Sequence, residues 1–133
     1  MKKFLLLGLV LTLVLVMAVG CTSNEAKYED GTYKAEGELD DHGWKPVIEV
    51  VVQNGEITSV NYDEFNEAGD LKSEDEDYAA AMEGVSGVRP ADAYEELENG
   101  LLSSQDVDKV DLVSGATSSS EAFKKLAKEA LSK

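Results

Sequence analysis

Apolar residues recur along this chain with several different spacings, and each change of spacing marks a new element. Phe4 to Val19 is almost wholly apolar and follows a basic start at Lys2 and Lys3. Asp30-Gly31-Thr32-Tyr33-Lys34-Ala35-Glu36-Gly37 reads as a turn and a short strand. Val47 to Val52 is a β-branched run, and Ile57 to Tyr62 is a second, with apolar or aromatic groups at 57, 60 and 62. Asn54-Gly55 between them suits the two positive φ values of a type I′ turn, which predicts a β-hairpin. Glu64 to Asp77 is polar and aperiodic and reads as a solvated loop without an EF-hand spacing.

Helical spacing dominates the rest. A short helix is predicted from Asp77 to Gly84, with Gly84 as its stop. Pro90 suits the first turn of a second helix reaching about Ser103, with Ala93, Tyr94, Leu97 and Leu101 inward. Lys109 to Val113 reads as a last strand. Beyond it Phe123, Leu126, Ala127, Ala130 and Leu131 line one apolar helix face. Ser118-Ser119-Ser120-Glu121 ahead of that face has the form of a capping box with Ser118 as the cap. These elements predict an α+β domain: a small antiparallel sheet with a hairpin, packed by short helices and ending in strand–turn–helix.

The junction before the last helix carries the chemistry. It reads Asp111-Leu112-Val113-Ser114-Gly115-Ala116-Thr117. A helix start presents unpaired N–H groups and a partial positive charge, which suits a phosphate. Gly115 and Ala116 keep side-chain bulk away from that seat, and Thr117 sets a hydroxyl beside it. Asp-x-x-(Ser/Thr)-Gly-Ala-Thr resembles the flavinylation motif of the FMN-binding domain family. The resemblance implies covalent FMN, joined through its phosphate to the Thr117 oxygen by a flavin transferase that uses FAD and magnesium. Asp111, Ser114, Gly115 and Ala116 would then be the surrounding motif, with Ser118 following and Ser119 in a position where that family commonly has Ser or Thr. The Asp30-Gly31-Thr32-Tyr33 entrance and the hairpin also resemble the family, so the likeness runs from Asp30 to the C-terminus. By residue chemistry alone, the same turn is equally an ordinary helix cap.

The N-terminal apolar run and the small residues Ala18-Val19-Gly20 before Cys21 resemble a bacterial lipobox. The expected organisation is a lipoprotein signal peptide over 1–20, lipidated Cys21 and a tether over 21–29, and an FMN-binding domain over 30–133. The competing reading is a retained signal anchor, although the run is short against the ~20 residues of a spanning helix. Cys21 is the one cysteine, so no intrachain disulfide or thiolate metal site is available. Removing 20 of the 133 residues leaves 113, with 27 Asp and Glu against ten Lys and Arg, a formal charge of −17. That balance argues against nucleic acid and anionic headgroups and favours basic partner proteins, or serves solubility alone.

Ring-binding candidates come from residue chemistry. Trp44, the one Trp, can stack on a planar cofactor or lid the core. His42, the one His, can shuttle a proton or lie exposed in its loop. Arg89 can stabilise the anionic reduced ring or pair with surface acids. Ser86 and Gly87 can offer backbone N–H groups. No nicotinamide fingerprint, nucleophile elbow or metal-hydrolase helix is present, so an electron carrier fits better than a stand-alone enzyme. The expected carrier takes electrons from a quinol- or NADH-linked membrane complex and delivers them to an extracytoplasmic acceptor. The alternative is a non-redox surface lipoprotein, such as a solute-binding or adhesive module.

Overall fold

The computed structural model describes residues 27–133, so the signal run and Cys21 lie outside the described part. Three strands, β1 (Gly31–Glu36), β2 (Lys45–Gln53) and β3 (Glu56–Phe65), form an antiparallel sheet in the order β1-β2-β3. Three helices follow: α1 (Glu76–Ser86), α2 (Pro90–Ser104) and α3 (Thr117–Leu131). The architecture is α+β, as the hydrophobic spacing predicts.

The hairpin turn is where Asn-Gly places it. Asn54 and Gly55 have φ of 53° and 77°, both in the left-handed region that the tight turn requires. One face of the sheet carries the core. Ile48, Val50 and Val52 of β2 alternate inward, and Ile57, Val60 and Tyr62 of β3 meet them. The inward phase of β3 changes between Ile57 and Val60, and a bulge opposite Val51/Val52 absorbs the extra residue. The new phase continues through Val60 and Tyr62 to Glu64, turning that carboxylate inward. Helices α2 and α3 cover this face with Ala93, Tyr94, Leu97 and Leu101, and with Phe123, Leu126, Ala127 and Ala130.

Three expectations change. The stretch from Glu64 to Asp77 is not a free solvated loop. Strand β3 extends to Phe65, Asn66–Asp70 turns tightly, Leu71 bridges back to Phe65, and a 3-10 turn spans Lys72–Glu74. Helix α1 runs past Gly84 and ends at Gly87, whose φ of 77° gives the left-handed cap. Lys109–Val113 forms no strand: a 3-10 turn over Val107–Lys109 leads into an unpaired segment. Val110 and Val113 are buried there, so their apolar pattern reflects packing and not pairing.

Candidate functional site

The motif segment is a short loop locked from below. Ala116 N–H donates to the Val113 carbonyl at 3.0 Å. The fully buried Ser120 hydroxyl accepts from Val113 N–H at 2.9 Å and donates to the Ala116 carbonyl at 2.7 Å. Ser120 is therefore spent on the loop, and no capping box forms. Helix α3 starts two residues earlier than a Ser118 cap would place it, with Ala116 at the N-cap and no side-chain cap. Gly115 has φ of +88°, and a Cβ there would stand 2.8 Å from the Ser86 carbonyl. Both conformation and close approach thus require glycine, and the approach pins the loop to the end of α1.

Thr117 is the first residue of α3, and its side chain is exposed. It borders a cleft of about 670 Å³. The α3 start contributes Gly115 to Ser119, α1 contributes Tyr78, Ala81, Met82, Val85 and Ser86, and the β1–β2 loop contributes Asp40, Asp41 and His42. Asp40 also organises its own loop, accepting from the N–H groups of His42 and Trp44 at 2.8 and 2.9 Å.

Glu64 and Lys72 also line the cleft, and both are buried. Glu64 Oε2 accepts from Ser119 Oγ at 2.7 Å and from the Tyr94 hydroxyl. Its Oε1 lies 3.5 Å from Lys72 Nζ. One carboxylate thereby ties β3, α2, α3 and the Lys72 turn together in the cleft that Thr117 borders. Burial, and then the Glu64 charge, push the Tyr94 phenol far above its usual pKa, so it stays protonated and donating. Burial followed by the same charge raises Tyr62, whose hydroxyl has no partner among the described residues.

The sequence-derived candidates divide cleanly. Gly115, Ala116, Thr117, Ser118, Ser119, His42 and Ser86 line the cleft. Asp111 instead lines a separate depression with Glu96, Gly100 and Lys109, and Ser114 is exposed outside the cleft lining. Trp44 is buried, meeting Tyr78 edge-on at 5.9 Å between ring centroids, behind the cleft surface. Arg89 reaches Glu76 at 2.6 Å and Glu83 at 3.4 Å and does not line the cleft. Sequence reasoning passed over Glu64, Lys72 and Tyr94. The available signal was the inward phase of Val60 and Tyr62, carried two residues further to Glu64.

The residues present fit a phosphate-bearing ligand. Helix α1 has Asp75 as its cap with Glu76 and Asp77 in its first turn, and α2 has Asp92 there. Helix α3 has neither a cap nor an acidic residue in its first turn, although the chain carries 27 acids. Its positive end is left for an external anion, with the Thr117 and Ser118 hydroxyls exposed beside it.

Fold and cleft define a small α+β domain with a cleft at the start of its last helix. The chain belongs to the FMN-binding domain family, which residues 43–132 match. Strand β1 precedes that matched segment. The chain is similar to the 15 kDa lipoprotein of Treponema pallidum (strain Nichols), at 39% identity over 103 residues, covering 77% of this chain and 73% of that protein. A crystal structure of a Clostridium perfringens protein matches with a TM-score of 0.76 at 45% identity, over 79% of this chain and 87% of that one. A solution NMR structure from Clostridium thermocellum matches with a TM-score of 0.54 at 30% identity, over 78% and 90%.

Proposed function

We propose that this protein is an exported, lipid-anchored electron carrier whose FMN is joined to Thr117 through a phosphoester. The observation that carries this reading is the exposed Thr117 hydroxyl on the uncapped first turn of α3, at the mouth of the cleft. A flavin transferase would install the group from FAD. The Thr117 hydroxyl gives up its proton to solvent as its oxygen bonds to the FMN phosphorus, the pyrophosphate link breaks, and AMP leaves.

FMN supplies one- and two-electron transfer. The chain's own residues bind and orient: the first turn of α3 balances phosphate charge, Ser120 holds the motif loop, and Tyr78, Met82 and Val85 offer an apolar wall for the ring. Val85 is 92% exposed, so this wall opens to solvent and lets a partner approach the redox centre.

The anchor would be Cys21. Among the described residues no helix is long and apolar enough to cross a membrane. The 15 kDa lipoprotein name of the Treponema relative supports the same attachment. The donor would be a membrane respiratory complex and the acceptor an extracytoplasmic one. A basic acceptor surface suits the acidic domain.

Protein exported together with the transferase should be yellow after denaturation and heavier by one FMN residue. Thr117→Ala should abolish both signals while leaving the unloaded fold within about ±0.5 kcal/mol, because the side chain is exposed. A Thr117→Ala protein that keeps the mass increment places the attachment elsewhere.

A further inference from the structure

Two charged side chains are withdrawn from water among the described residues, and both border the same cleft. Glu64 is 4% exposed and Lys72 is 6% exposed. A buried ion pair is a weak source of stability, because desolvation offsets its attraction and apolar replacements are often neutral or better. Folding alone therefore gives little reason to place this pair here.

The two partners are not equally occupied. Glu64 has Ser119 Oγ and the Tyr94 hydroxyl on one oxygen and Lys72 on the other. Lys72 has three N–H donors to place. Among the described residues its one close acceptor is Glu64 Oε1, at the long distance of 3.5 Å. The rest of its surroundings is aromatic. Nζ lies 4.5 Å from the Tyr78 ring centroid and 5.7 Å from that of Trp44, which holds the cation in place while consuming no donor. Arg89, the cation offered by sequence, is occupied outside the cleft by Glu76 and Glu83.

We propose that Lys72 is a cofactor-binding residue of the cleft: its ammonium donates to the electron-rich polar edge of the flavin ring and favours the reduced, more negative cofactor, with Glu64 setting how strongly that charge is felt. This rests on FMN being carried by Thr117. The Ser119–Glu64–Tyr94 hydrogen bonds hold the counter-charge at the base of α3, so Lys72 keeps one position relative to Thr117. Trp44 then serves the site from behind, as a face against Lys72.

The test compares full-length wild type, Lys72→Met, Lys72→Arg, Glu64→Gln and the double variant Lys72→Met/Glu64→Gln, each exported with the flavin transferase. Intact mass establishes loading, spectroelectrochemistry gives the midpoint potential, and melting of the unloaded proteins records structural loss separately. Lys72→Met should shift the potential negative. Lys72→Arg should stay near wild type, because the charge is kept. Glu64→Gln should shift it positive, because Lys72 loses its counter-charge. The double variant leaves no isolated buried charge, serves where a single variant does not fold, and should fall below wild type. Loaded Lys72→Met or double variant at the wild-type potential would overturn the inference, as would shifts of the same sign in Lys72→Met and Glu64→Gln. A wild type without an FMN increment overturns the attachment reading itself, a different result from loaded variants that share one potential.

Discussion

Helix α2 buries Pro90, Ala93, Tyr94, Leu97 and Leu101, whereas α1, the helix immediately before it, buries Ala79 alone. The first has apolar residues spaced to make a stripe against the sheet, and that stripe is part of the main core. The second places alanines around its circumference and leaves Val85 almost bare. Helix α1 is held largely through its ends. Asp75 caps its first turn by accepting from Tyr78 N–H at 2.9 Å, and Gly87 closes its last. Arg89, at the N-cap of α2, reaches back to two of its glutamates. The Ser86 carbonyl rests against Gly115. A helix anchored this way keeps Val85 wholly available for a cleft, while Met82 is shared, packing partly against the core and lining the cleft as well. One helix makes the fold and the other makes a wall of the site.

That contrast can be broken by substitution. Leu97→Ala on α2 removes a fully buried side chain from the centre of the core. It should cost about 2–5 kcal/mol in chemical denaturation, through lost burial and the cavity left behind. Gly115→Ala acts at the seam between the motif loop and α1. The strained φ and the 2.8 Å approach to Ser86 should cost about 1–3 kcal/mol. Because the strain falls on the site, FMN loading should drop further than global stability does. A variant that melts like wild type and loads fully would show that the loop does not lean on α1.

A pH test touches α2 from the other side. Glu98 accepts from Tyr62 N–H at 2.7 Å, and its pKa is raised, first by desolvation and against that hydrogen bond. A carboxyl with a raised folded-state pKa adds stability below its ordinary unfolded value and loses it as pH rises through the folded one. Glu98→Gln keeps the acceptor and removes the titration, so the fall in melting temperature across that window should flatten. The group is half exposed, so the change should be smaller than that at Gly115. Val85→Ser, the mildest substitution, should leave stability within about ±0.5 kcal/mol. On the electron-carrier reading it should still slow exchange with a macromolecular acceptor. A loss like that of Leu97→Ala would erase the distinction between the helices.

Local rules carried much of the fold. Asn54-Gly55 determined the hairpin, because two adjacent positive φ values suit few other pairs. The spacing of Phe123, Leu126, Ala127 and Ala130 determined the face that α3 buries, and Pro90 marked where α2 begins. The junction that ends in Thr117 was legible for the same reason: a small-residue turn followed by a periodic helix is a local pattern. The charged floor of the cleft was not. Glu64 and Lys72 sit in a stretch whose composition reads as solvent-exposed, and an acidic run looks the same in sequence whether or not one member is buried. A bulge set the phase that turned Glu64 inward, and Tyr94, Ser119 and Lys72 arrived from three other segments to satisfy it. Turn chemistry and helical spacing depend on neighbours a few residues away, so the sequence determined them unaided. Which acid loses its water, and which cation meets it, depends on contacts between distant segments, and the tertiary structure alone decided that.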